Sequence, residues 1–124
     1  MRYLLDTQVM LWWLLDDPRL GAKTGELMAS RPCVVSVASI WEVAIKHRIG
    51  KLKLSPIVFR DQSIAAGADL LPVLDSHVIE TAQLPMLHQD PFERLLIAQA
   101  RVEGLMALSS DSQWVGYDVS LHRL

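Results

Sequence analysis

The chain has 124 residues, 51% of them hydrophobic, and a formal net charge of −2. That length fits one domain with enough apolar content for a core without covalent staples. The near-neutral charge excludes a strongly basic whole-protein field for nucleic acid and leaves only a local patch for such a partner; the single cysteine, Cys33, excludes an internal disulfide framework and fits a reducing, cytoplasmic setting.

In chain order, the first strand is predicted at 2–5 (RYLL), followed by a helix from Thr7 to Leu15 that Asp16-Asp17-Pro18 stops. Within it VMLWWLL is apolar around nearly its whole circumference, which predicts deep burial or contact with another chain. The run is far shorter than the roughly 20 residues of a membrane span and lacks the flanks of a signal peptide, so no membrane association is expected. Residues 19–30 carry a second helical pattern with Leu20, Leu27 and Met28 as its apolar members. Pro32 precedes the strand CVVS (33–36), where Cys33 reads as a small buried hydrophobe. In VASIWEVAIKHRIG, Val37, Ile40, Trp41, Ala44 and Ile45 recur at helical spacing, Glu42 stands at the border of that stripe, and Gly50 follows a basic last turn as a stop.

Pro56 opens a further helix to about Ala68, and DLLPVL reads as an edge strand because it contains Pro72. Asp75 or Ser76 is the expected cap of the short helix HVIETAQL. After a loop at 84–90 the strongest helix signal of the chain spans 91–103: Asp90 as N-cap, Pro91 in the first turn, Glu93 as the reciprocal member of a capping box, and Gly104 as the stop. The strand LMALS (105–109), a short helix or turn at 111–115 and the terminal YDVSL complete the chain. Strands alternating with helices predict a single-domain α/β/α sandwich over residues 1–124 with a mostly parallel central sheet, its short strands apolar because both faces are covered.

In open parallel sheets, sites form beyond the carboxyl ends of the strands. The polar residues at those positions are mostly acids: Asp6 after the first strand, Glu42 one turn into the helix after the second, Asp90 at the head of helix 91–103, and Asp111 after LMALS. Each has an ordinary reading alone, as a cap, a turn residue or, for Glu42, an i,i+4 partner of Lys46. Gathered at one sheet edge they would repel one another unless protons or cations neutralise them. Mg²⁺ or Mn²⁺ suits such an all-oxygen donor set. None of the four histidines forms a zinc-type pattern, and His88, nearest to Asp90, reads either as lining the site or, by preference, as a solvated loop residue. A carboxylate-held cation can activate water against a phosphodiester.

Four blocks carry a resemblance: LLDTQVMLW, SVASIWEVAIKHRIGKLKL, HQDPFERLLIAQA and ALSSDSQW. In this order and spacing they resemble PIN-domain proteins, and among those the VapC-like ribonuclease toxins of bacterial toxin–antitoxin pairs. The resemblance implies a small α/β/α fold and an Mg²⁺- or Mn²⁺-dependent endoribonuclease site in which Asp6, Glu42, Asp90 and Asp111 match the family's acids. The chain departs from the usual DPFDR block by reading DPFER, which makes Glu93 a further possible ligand, and has Gln8 where the first block usually continues with His. The resemblance also implies RNA as substrate, homodimers, and a small antitoxin protein inserted into the site.

Lys46, Arg48, Lys51 and Lys53 form a basic run able to meet substrate phosphate or simply to complement the helix end. Arg94 could orient the Asp90 carboxylate or contact RNA, and the tryptophans read mostly as core. Two other readings stand beside the nuclease. One is a catalytically inactive, protein-binding member of the same fold. The other is an Mg²⁺-binding receiver-like signalling domain, for which CVVS ends in Ser36 instead of an acceptor aspartate and LMALSSD offers no lysine.

Overall fold

A computed structural model describes residues 2–117 and 121–123; residues 118–120 of the terminal segment YDVSL lie outside the described residues. Five strands, β1 (Tyr3–Leu5), β2 (Cys33–Ser36), β3 (Asp69–Leu71), β4 (Met106–Ser109) and β5 (Leu121–Arg123), pair in the order β3-β2-β1-β4-β5, every pairing parallel. Leu4 lies opposite Val34 and Ala107, and Leu5 opposite Val35 and Leu108. The pleat sends the two sets to opposite faces. Leu4, Val34 and Ala107 pack with Leu96, Ile97 and Trp114, while Leu5, Val35 and Leu108 pack with Val9, Met10, Val43 and Phe59. Two cores therefore sandwich the sheet, which is why its central strands are apolar on both sides.

The helices are α1 (Thr7–Leu14), α2 (Ala22–Ser30), α3 (Val37–Arg48), α4 (Pro56–Ala65), α5 (Asp75–Glu80) and α6 (Pro91–Glu103). Three differences from the sequence expectation have local causes. The pattern at 19–30 is broken: a 3-10 turn at Pro18–Leu20, capped by Asp17, precedes Gly21, whose φ of 82° starts α2 afresh. The expected strand at 69–74 ends before Pro72 and keeps the predicted edge position. The short helix begins at Asp75, whose Oδ1 accepts the first-turn N–H of Ser76 at 2.9 Å, while the N-cap position itself falls on Leu74, which has no capping side chain. Instead Nδ1 of His77 accepts the N–H of Leu74 at 3.0 Å. His77 is fully buried and ties α5 to α6 through Glu103 Oε2 at 2.9 Å and the Gln99 amide.

Helix α3 departs furthest. Its buried residues are Ala38, Ser39, Glu42 and Val43, while Val37, Trp41, Ile45 and Ile49 face outward. The apolar stripe predicted to face the core is thus largely the outer ridge, and Trp41, read as core, is 61% exposed. Helix α1 keeps Val9, Met10 and Leu11 buried and leaves Trp12, Trp13 and Leu14 half-buried.

The strand order also disposes of the receiver-like alternative. That fold sets its first strand between the second and third; here β1 stands between β2 and β4. Chain direction across the sheet reverses at β1/β4, so the crevice for a site opens beyond Leu5 and Ser109. Among the described residues no helix is long and apolar enough to cross a membrane.

Candidate metal centre

Asp6 leaves β1 directly into the crevice. It is 2% exposed, and its Oδ1 caps α1 by accepting the Val9 N–H at 2.7 Å, while Oδ2 accepts from the Ser109 hydroxyl. The same hydroxyl accepts the Asp111 N–H at 3.0 Å, so Ser109 joins the acids that follow β1 and β4. Asp111 caps the next turn through Gln113 N–H at 2.9 Å and accepts from His88 Nε2 at 2.8 Å. Glu42 comes from the buried side of α3. One of its oxygens pairs with Lys46 Nζ at 2.8 Å, and the other, Oε1, is buried without a hydrogen-bond partner.

Two acids stand at the head of α6, and they find different donors. Asp90 Oδ1 accepts the N–H groups of Phe92 at 2.8 Å and Glu93 at 3.3 Å, and its own N–H donates to His88 Nδ1. Glu93 does not close the capping box. It turns toward β4, where the Trp114 indole N–H donates to its Oε2 at 2.6 Å. Burial raises the Glu93 carboxyl to about 8, helped by the charges of Asp6, Glu42 and Asp111. Burial likewise lifts Asp6 to about 6, with Asp111 and Glu42 adding repulsion against the relief from Ser109 and Val9. The carboxylates whose charges act on one another most strongly are Asp6, Glu42, Glu93 and Asp111, and Asp90 caps α6 beside them.

These residues fit a divalent cation. The donors are hard oxygens, two of the acids resist ionising without a counter-charge, and Glu42 Oε1 is a buried acceptor lacking a partner. One donor atom each from His88, Glu93 and Asp111 lie within 4.8 Å of one another.

The residues expected to meet substrate separate. Lys46 is committed to Glu42, while Arg48, Lys51 and Lys53 are exposed. Arg94 contacts neither the Asp90 carboxylate nor open solvent with its full fork. It donates to the carbonyls of Pro85 at 2.9 Å and Thr81 at 2.8 Å, with longer bonds to His88 and Leu84, and so ties together the chain before α6. Sequence reasoning passed over Ser109, read Trp114 only as core or a stacking surface, and preferred a solvated loop position for His88 over one lining the site. For Ser109 the signal was available, as the last residue of a strand that ends at the crevice. Cys33, by contrast, is the buried hydrophobe it was read as, its thiol pushed up to about 11 by burial.

Among curated proteins none matches the sequence. Solved structures share the fold. The VapBC2 complex of Rickettsia felis bound to a promoter DNA fragment has a TM-score of 0.78 at 14% identity, covering 99% of this chain and 98% of that one. The DNA-bound VapBC of Salmonella typhimurium gives 0.72 at 13% identity, with 99% and 98% covered. A toxin–antitoxin complex from Klebsiella pneumoniae gives 0.66 at 11%, with 98% and 99% covered. The family pattern of the PIN domain matches residues 3–119 and thus takes in every acid of the crevice: the chain belongs to the PIN domain family.

Proposed function

We propose that this protein is an Mg²⁺- or Mn²⁺-dependent endoribonuclease and the toxin of a toxin–antitoxin pair, acting in the cytoplasm. The observation that carries the reading is the convergence of Asp6, Glu42, Glu93 and Asp111 in one crevice, with an orphaned oxygen on Glu42. Asp6, Glu93 and Asp111 would hold the cation. Bound there, it supplies a Lewis acid and a counter-charge that favours ionised water. Glu42 offers Oε1 as the acceptor that orients that water, while Lys46 holds the second oxygen in place. Arg48, Lys51 and Lys53 offer exposed positive charge to RNA phosphates. The solved relatives are VapBC or toxin–antitoxin complexes, which supports a small antitoxin as partner. The ridge of Val37, Trp41, Ile45 and Ile49, too apolar for water alone, supports contact with a second copy of the chain.

The test is cleavage of total RNA by the purified protein with Mg²⁺, with Mn²⁺ and with EDTA. Asp6→Asn and Glu93→Gln are expected to lower the rate by about 100-fold or more, since even partners of metal ligands carry 10–100-fold. Asp90→Asn keeps a good cap and is expected to stay within a few-fold of wild type. Cleavage that survives EDTA, or loss in Asp90→Asn but not Glu93→Gln, overturns the reading. RNA left intact under every cation condition identifies the chain as an inactive, protein-binding member.

A further inference from the structure

The trio His88, Glu93 and Asp111 has the spacing of a metal site, yet the bonds around His88 give it a different task. Asp90 N–H points at Nδ1 at 3.1 Å, so Nδ1 must accept. A neutral imidazole with Nδ1 accepting carries its proton on Nε2, and Nε2 lies 2.8 Å from Asp111 Oδ2. Both ring nitrogens are therefore engaged, one as acceptor and one as donor, and neither lone pair is left for a cation. The ring is only slightly exposed, and its backbone N–H donates to the Tyr117 hydroxyl at 2.7 Å, which fixes the loop that carries it. His88 spans the gap between the α6 cap and the turn after β4.

We propose that His88 is a positioning residue: its Nε2–H, oriented by the Asp90 backbone, holds the Asp111 carboxylate in the geometry that receives the divalent cation. The inference rests on the cation-dependent reading above. It extends that reading to a residue outside the acids. Neutral donors to metal-binding carboxylates commonly set affinity by 10–100-fold, and the Trp114 indole N–H is a second such donor, to Glu93.

Two conservative variants separate positioning from simple loop support. Glutamine places an amide N–H near the Nε2 position and can still donate to Asp111. Asparagine reaches only the Nδ1 position, where its oxygen can accept from Asp90 N–H but nothing reaches Asp111. Titration of Mn²⁺ alone, by calorimetry, is expected to give His88→Gln an affinity within about 3-fold of wild type and His88→Asn a loss of 10-fold or more. Melting in EDTA shows whether each variant is folded. In the metal-free wild type, the ¹⁵N shifts of the imidazole are expected to report the Nε2–H tautomer. Asparagine binding Mn²⁺ as tightly as wild type, glutamine losing as much as asparagine, or an Nδ1–H tautomer overturns the inference while leaving the nuclease reading intact. A wild type that binds no Mn²⁺ overturns the nuclease reading itself and this inference with it.

Discussion

Glu93 and Asp90 stand within one turn at the head of α6, and what separates their roles is where each carboxylate finds donors. Asp90 turns back onto the helix N-terminus; Glu93 reaches the indole of Trp114, distant in sequence. Asp90→Ala is accordingly expected to cost about 1 kcal/mol of stability, the usual worth of a cap, measured by urea unfolding. Glu93→Gln has the opposite sign. Glu93 titrates near 8 when folded against 4.5 ordinarily. Below about pH 4.5 the group is neutral folded or unfolded and contributes no difference. As pH rises toward 8 the folded state must either keep the proton or bury a charge, and stability falls. The neutral glutamine escapes this, so in EDTA the variant is expected to be more stable by a few kcal/mol at pH 9 and equal to wild type at pH 4. Equal stability at both pH values would show that the carboxylate is not strained. The choice between the two acids was not legible in the sequence: both suit a helix start, and the deciding partner lies on another element. The same holds for His88, whose partners are a backbone N–H and an acid beyond β4.

Where local chemistry decides an element, the sequence was sufficient. Asp90-Pro91 and Gly104 bound α6 at both ends because cap, fixed φ and left-handed stop are all short-range. Gly50 closes α3 in the same way, at φ 80°. Helix α3 shows the limit. Apolar periodicity correctly indicates a helix, but which face is inward depends on the acid crevice, and there a carboxylate and two small side chains displace the aromatic. The cap of α5 was equally hidden, because a histidine held by α6 replaces the usual Asp or Ser. The loop before α6 depends on Arg94, whose guanidinium collects carbonyls from Thr81 to His88. Arg94→Met keeps the stem and removes every donor. Unmaking these bonds is expected to cost about 1–3 kcal/mol and to speed amide hydrogen exchange across 84–90 while α4 is unchanged. Exchange unaltered in that loop would show that the strap is idle.

At the scale of the molecule, parallel strands put the ends of β1 and β4 side by side, and the reversal of strand order leaves room between them for α3 and α6 to supply one acid each. The fold thus concentrates negative charge locally in a chain whose net charge is only −2. That concentration opposes folding when no counter-ion is bound. Asp6 and Glu93 both have folded values above their ordinary ones, about 6 against 3.8 and about 8 against 4.5, so the folded state takes up protons and metal-free stability declines as pH rises from the ordinary values through the folded ones. Protons and a divalent cation compete for the same oxygens. At pH 5 both groups hold their protons in the folded state, and Mg²⁺ is expected to move the melting temperature very little. At pH 8.5 Asp6 is ionised and Glu93 mostly so, and Mg²⁺ at 100 times its dissociation constant adds about 2.7 kcal/mol, roughly 10 °C in melting temperature for a domain of this size. The decisive measurement is the difference between the two shifts. An equal Mg²⁺ effect at pH 5 and pH 8.5 would place the cation away from Asp6 and Glu93, and no effect at either pH would leave Asp6 and Glu93 without the counter-charge their burial calls for.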